Sequence, residues 1–557
     1  MPAPSRIDRR TLLQLPIGVG ALGAVGAVGT AAASAAPRPA LSENAWTFGL
    51  MSDTQWGADA DGENPGSIAG GLQRMINERM IDEGAAFLVQ VGDNVDREED
   101  SYNGRPDVRT LPIKGELVQP LYDAGIGFYT LRGNHESSAT AGQELPQVFP
   151  QHMGEGENPL GGATNFSSPS EVLKGLSYSF DVENVRLIML DQFTRPDGSG
   201  STGDNILDQL DWIEERVMSR GADMHCIIAA HKNLIGGNHV DNLFGSDPSE
   251  NPDGVDRFLQ ICDEGGVAFL WGGHDHHHKR SVITSADGRH SIEQLIAGSD
   301  SAKFYTPDVP SIDETYGGPS ETVLAEELWT LSHYLITVDG PMLYVDFYSM
   351  STGADYGPTY MNVTPPESGW YWRERWGRSL NGQEFLVGPG ESYTVVSDEF
   401  EGTTARILDG VNTAETSDYA GRALSKHIAT GWQDAGDGDA SPRFHLTGIH
   451  ENLTLNDESV TGQLPEADET DEADRFVLEL SGGARAFRAD GSYGLATRGE
   501  DGSWINAVDA NHAGTKKFVK GPYHEGHAVG TYGVDPRTKK AWAVLDRGGV
   551  FVLRRGI

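Results

Sequence analysis

Five apolar runs in this 557-residue chain each end in a cluster of side chains able to ligate a metal ion. Asp53 and Gln55 follow Met51, and Asp93 and Asp96 follow Val91. Asn134 and His135 follow Leu131, His231 follows Ala230, and His274 and His276 follow Trp271. Carboxylate, amide oxygen and imidazole form a mixed hard and borderline donor set suited to Zn, Fe, Mn or similar ions. Glycines beside these residues (Gly92, Gly133, Gly273) let the backbone turn sharply and approach closely. Any single cluster is ordinary, because a Gly-Asp pair at a strand end is commonly a turn. Five in succession point to one site.

The elements that must position them are legible as strands and helices in alternation. Strand-like runs cover Trp46–Met51, Ala85–Val91, Gly127–Leu131, Met224–Ala230 and Val267–Trp271. Helix-like stretches cover Ser67–Asp82, Leu117–Asp123, Asn205–Ser219, with Asp204 as N-cap, and Val255–Asp263. This alternation predicts an α/β layered domain, and in such sheets side chains beyond the strand C-termini converge on one crevice. Two hairpins, Leu176–Val182 with Val185–Leu190 and Ser332–Val338 with Met342–Tyr348, add antiparallel strands, the second turning at Asp339-Gly340.

The order of the clusters, D-x-Q, G-D-x-x-D, G-N-H-E, a single His and G-H-x-H, resembles the calcineurin-like metallophosphoesterase family between Asp53 and His276. The resemblance implies a two-sheet metallophosphoesterase sandwich over 42–362, and the change of texture at Pro365-Pro366 reads as a linker over 363–390. It also implies two divalent or trivalent ions (Mn, Fe, Zn or Mg) at a dinuclear centre, where a metal-activated hydroxide hydrolyses phosphomonoesters or phosphodiesters. Asp93 would bridge both ions, Asp53 and His276 would hold the first, and Asn134, His231 and His274 the second. His135 would be the catalytic acid, and Asp96 would hydrogen-bond it and fix its tautomer. The first motif departs from the family's D-x-H, since Gln55 stands where His is commonest. An amide oxygen there is either a weak ligand favouring Mn or Mg, or a neighbour of the ligands.

No G-x-S-x-G nucleophile motif appears. Neither does the nucleotidase-like N-H-x-F-D continuation or the G-D-x-x-Y motif of purple acid phosphatases. The substrate is expected to be a small phosphate ester. An exported nuclease or nucleotide pyrophosphohydrolase is the second enzyme reading, and a non-catalytic cell-envelope binding protein with a decayed domain is the third. Lys303, Phe304 and Tyr305 read as packing or solvent-exposed residues rather than substrate contacts.

Net charge −40 argues against duplex nucleic acid as partner, because no basic stripe is available to displace counterions. The first 36 residues read as a twin-arginine signal: Arg9-Arg10, a Gly/Ala-rich stretch, then Ala33-Ser34-Ala35. That predicts engagement of the twin-arginine export machinery, secretion, and no stable membrane span after cleavage. Residues 391–557 read as an all-β accessory domain, with Trp370, Trp372 and Trp376 packed between the two domains. Cys226 and Cys262 read as buried thiols, with a single disulfide as the alternative.

Overall fold

The computed structural model describes residues 42–557 apart from 43, 56–67, 98–100, 103–104, 155–159, 200–203, 248, 302, 306–317, 329, 352–369, 388–391, 396–399, 410–419, 423–425, 450–473, 482–492 and 500. The signal-like segment, the Gly388–Gly390 turn and most of the loop spanning 300–319 lie outside the described residues. No helix among the described residues is long and apolar enough to cross a membrane.

Residues 46–379 form two facing sheets with helices on their outer sides. The first sheet runs in the order Tyr371–Ser379, Met342–Ser351, Thr330–Asp339, Trp46–Met51, Phe87–Gln90, Gly127–Thr130. Its last three strands are parallel to one another. The second sheet carries a parallel core of Ser291–Ile296, Phe269–Gly272, His225–Ala229 and Val185–Met189. Between them lies an aromatic-rich core that includes Phe48, Phe87, Tyr129, Phe180, Trp271, Phe347 and Trp376. Both faces of the parallel strands are covered, which is why they read as unbroken apolar runs rather than alternating ones.

The helices supply the outer layers. Leu72, Ile76 and Met80 of the helix Ile68–Asp82 are fully buried at a spacing of four, one face of a helix. The helix Pro252–Glu264 buries Val255, Phe258, Leu259 and Cys262 against the second sheet. Cys226 and Cys262 are both free thiols, and burial pushes Cys226 up to about 11.

Three expectations are corrected. The helix expected over Leu117–Asp123 begins at Thr110. Pro112 and the buried Lys114 hide its first turns from an apolar pattern, although proline is tolerated where the N–H has no helical partner. Asp204 does not cap a helix: a 3₁₀ turn over Leu207–Gln209 precedes Leu210–Met218, and the Asp204 carboxylate lies 3.4 Å from Lys232 Nζ. The segment 363–390 contributes the strand Tyr371–Ser379 to the first sheet and Glu384–Val387 to the C-terminal domain. Trp376 is therefore a residue of the core between the two sheets, not an aromatic packed between domains.

The C-terminal part is a second sandwich of two six-stranded sheets, mostly antiparallel, closed over its own core of Phe400, Phe444, Leu446, Phe476, Leu478 and Phe551. It is tied to the first sandwich. Ala420–Arg422 pairs with the edge strand Ser320–Glu327. Buried Arg280 is held by Glu374 and, at 3.2 Å, by Glu293, which also accepts from His427 Nδ1 at 2.6 Å.

Candidate metal centre

The strand ends deliver Asp53, Gln55, Asp93, Asn134, His135, His231, His274 and His276 to one crevice. Asp53, Asp93 and His276 present ligand atoms that all lie within 4.8 Å of one another, and all three are buried. Asp93 also faces a second group: His231 Nε2 is 3.2 Å from Asp93 Oδ1 and 2.9 Å from Asn134 Oδ1. His274 adjoins this group, its ring centroid 5.0 Å from that of His231. Asn134 is solvent-exposed and marks the open side.

Tautomers follow from the hydrogen bonds. His231 Nδ1 donates to the Val91 carbonyl at 2.9 Å, and His276 Nδ1 donates to the Lys303 carbonyl at 2.8 Å. A carbonyl only accepts, so each neutral ring carries its lone pair on Nε2, the atom aimed at the carboxylates. Burial lowers the His231 imidazole to about 4 and His276 well below its ordinary value, which keeps both rings neutral. Lone pairs of His231, Asn134 and Asp93 thus converge with no proton between them. Such an arrangement is repulsive by itself and fits a cation.

The two aspartates behave accordingly. Burial and the neighbouring Asp93 charge push Asp53 well above the usual carboxylate range. At Asp93 burial opposes ionisation, yet the group is held low where it sits among the imidazoles of His231, His135, His274 and His276. Buried carboxylates this close do not both ionise without a compensating charge. Gln55 joins the set: its Nε2 donates to Asp93 Oδ2 at 3.0 Å, while its buried Oε1 has no hydrogen-bond partner among the described residues.

The backbone carries the same signature. Among the described non-glycine residues with positive φ are Asp53 (44°), Gln55 (38°), Asp93 (45°), His274 (72°) and His276 (56°). The left-handed region costs about 1–2 kcal/mol per non-glycine residue. Five such residues therefore cost on the order of 5–10 kcal/mol, comparable with the whole net stability of a domain. Strain of this size at five potential ligands belongs to a site. Gly133 is required beside it, since a Cβ there would coincide with Asp93 Oδ1. At Gly92 (φ 93°) a Cβ would meet His231 Nδ1.

His135 stands at the margin, its Nε2 3.8 Å from Asp93 Oδ2. Its Nδ1 meets the main-chain carbonyl of Asp96 at 2.5 Å, while the Asp96 carboxylate is 3.7 Å away. The expected partnership with Asp96 is thus made by backbone rather than by side chain. The loop is braced from behind: Glu136 accepts from Val95 N at 2.8 Å and Gly133 N at 3.0 Å, and buried Arg132 pairs with Asp191 at 2.5 Å.

Several contributors fall outside the motifs. Asp241 lies 3.3 Å from His274 Nε2 and fixes that ring, as carboxylates beside metal-binding histidines do. His239 stacks on His274 with centroids 4.0 Å apart. Asp275, the intervening residue of G-H-x-H, accepts from Asn238 N at 2.7 Å and His239 N at 2.9 Å. Lys303, read as packing, brings its Nζ to 3.4 Å from His135 Nε2.

A family model for calcineurin-like phosphoesterase matches residues 47–278. Among solved structures, the chain is similar to GAP50, the anchor in the inner membrane complex of Plasmodium, at 14% identity and TM-score 0.34, over 58% of this chain and 90% of that one. It is similar to the purple acid phosphatase PPD1 from yellow lupin (Lupinus luteus) seeds at 14% identity and TM-score 0.36, over 59% of this chain and 55% of that one. The structure of PhoD is similar at 11% identity and TM-score 0.37, over 62% and 71% of the two chains. No curated protein matches the chain. The family match spans residues 47–278, the stretch that carries every ligand-type residue of the crevice.

Proposed function

We propose that the protein hydrolyses phosphomonoesters or phosphodiesters at a dinuclear centre shared through Asp93. The observation that carries this reading is the convergence of lone pairs from Asp53, Asp93, Asn134, His231 and His276 at residues largely held in strained backbone. Asp53, His276 and the Gln55 amide oxygen would hold one ion. Asn134, His231 and His274 would hold the other. Bound ions of this kind supply Lewis-acid polarisation of the phosphoryl group and acidify water.

The chain's own residues do the rest. Asp241 and the carbonyls of Val91 and Lys303 orient the imidazoles, so that each ring meets its ion with a lone pair. His135 has Nδ1 committed to the Asp96 carbonyl and turns Nε2 toward the crevice, so that in its doubly protonated form it would donate from Nε2 to the leaving oxygen. Covalent catalysis by a protein nucleophile is not needed. The purified protein loaded with Mn is expected to hydrolyse p-nitrophenyl phosphate or its bis-ester and to lose the activity on chelation. Failure to turn over either ester with Mn, Fe, Zn or Mg would overturn the reading.

The export reading stands beside it as a proposal: residues 1–36 direct the folded, metal-loaded enzyme out of the cell through the twin-arginine machinery. Replacing Arg9 and Arg10 with Lys is expected to strand the precursor inside.

A further inference from the structure

Lys303 is 9% exposed and contributes at two points. Its carbonyl fixes His276, and its ammonium reaches across the crevice to 3.4 Å from His135 Nε2. The segment bearing it is anchored rather than loose. Asp300 accepts from Ser52 N at 3.2 Å and Ser332 N at 3.3 Å, one on each of two neighbouring strand segments of the first sheet. Ser301 Oγ accepts from Lys303 N at 3.3 Å, and Phe304 is fully buried. The Tyr305 ring, packed against His276 at 4.8 Å, lies 5.5 Å from the ammonium. The other lysines close by are directed elsewhere. Lys232 bonds Asp241 at 2.8 Å and Asp204 at 3.4 Å, and Lys114 bonds Thr54 at 2.8 Å behind the site.

The Lys303 ammonium, within hydrogen-bond reach of His135 Nε2 at the edge of the crevice, places positive charge beside the position an anion held at the metal centre would take. On a chain of net charge −40, local cations decide whether a phosphate enters. We propose that Lys303 binds a terminal phosphate oxygen of the substrate and biases the site toward phosphomonoesters, which present two negative charges, over diesters, which present one. This rests on the phosphoesterase reading above. A charge-assisted hydrogen bond inside a partly dehydrated crevice is worth about tenfold or more in affinity.

The test uses the metal-loaded full chain, Lys303→Met and Lys303→Arg, with orthophosphate as probe in calorimetry and the mono- and bis-p-nitrophenyl esters in turnover. Lys303→Met is expected to bind orthophosphate at least about tenfold more weakly. Its KM for the monoester should rise by a similar factor, with a smaller change for the diester, an unchanged melting temperature and an unchanged metal content. Lys303→Arg should restore most of the phosphate affinity. Should Lys303→Met fail to fold, Lys303→Gln, of similar reach and neutral, carries the comparison. Equal phosphate affinity, an equal loss on both esters, or wild-type protein that binds no orthophosphate would overturn the inference. Loss of metal in the variant would also overturn it, because Lys303 would then serve only to offset Asp53 and Asp93. A wild type that binds orthophosphate but hydrolyses neither ester would sink the phosphoesterase reading alone, and the phosphate comparison would still decide the role of Lys303.

Discussion

Two sandwiches are joined in this chain, and they spend their polar residues differently. Of the ten described non-glycine residues with positive φ, nine fall in the first sandwich and only Lys539 in the second. Five of those nine surround one crevice. The second sandwich closes on an apolar core, and its buried ionic groups pair with each other or across the boundary, as Lys426 does with Asp474 at 3.1 Å and His427 with Glu293. Both halves solve the packing problem in the same way. Only the first gathers strained residues and converging lone pairs that packing alone does not require, and this contrast is why the proposed chemistry is assigned to it.

The sharpest way to break the contrast is Asp93→Asn. Asp93 faces both donor groups, and an amide cannot serve two cations as a carboxylate does. We expect a loss of bound metal and a fall in kcat of about 10³-fold or more, since several kcal/mol of transition-state stabilisation disappear. A variant retaining its metals and near-normal turnover would show that the strained crevice is not the active site.

Next comes His135→Asn, which separates proton transfer from metal binding. Metal content should hold while kcat falls by about 10²–10⁴-fold, the usual worth of a positioned acid. The loss should be greatest for alkyl esters and least for p-nitrophenyl esters, whose leaving group departs as an anion. An equal drop for both would leave His135 as a brace for the Asn134 loop.

Trp376→Ala tests where the boundary between the halves lies. Trp376 is 1% exposed in the core between the first two sheets, so its removal should cost about 3–5 kcal/mol in the unfolding transition of the first sandwich. A chain cut near residue 365 should fail for the same reason, whereas one ending after Asn381 keeps the strand. A cost below about 1 kcal/mol would return this segment to the status of a linker.

The smallest effect concerns acid. Burial lowers the His152 imidazole to about 3, so between that value and the ordinary 6.5 the unfolded chain binds the extra proton and the fold loses stability as pH falls. His152→Gln should flatten the pH dependence in that window by up to about 1.4 kcal/mol per pH unit. An unchanged slope would show that His152 is protonated in the fold.

Much of the site was legible because parallel strands buried on both faces read as apolar runs, and their ends as polar clusters. Trp46–Met51 agrees to the residue, and the other four site-bearing strands agree within two residues at each end. What stayed hidden has physical reasons. Asp241, His239 and Lys303 lie on irregular segments with no period to betray them. In Tyr371–Ser379 the register shifts between Phe347 and Tyr348 on the partner strand, so adjacent Arg373 and Glu374 are both buried in ion pairs. No alternating pattern survives that bulge. The Asp96 carboxylate was expected on His135, but a main-chain carbonyl takes its place, and spacing alone does not distinguish the two.

A dinuclear catalytic centre is best distinguished by titrating metal-free protein with Mn and following bound metal and p-nitrophenyl ester hydrolysis together. Two equivalents are expected to bind, with hydrolysis reaching its plateau only as the second is taken up, and neither binding nor hydrolysis is expected in Asp93→Asn. Full hydrolysis by metal-free protein, or two bound equivalents without hydrolysis of either ester, would contradict it.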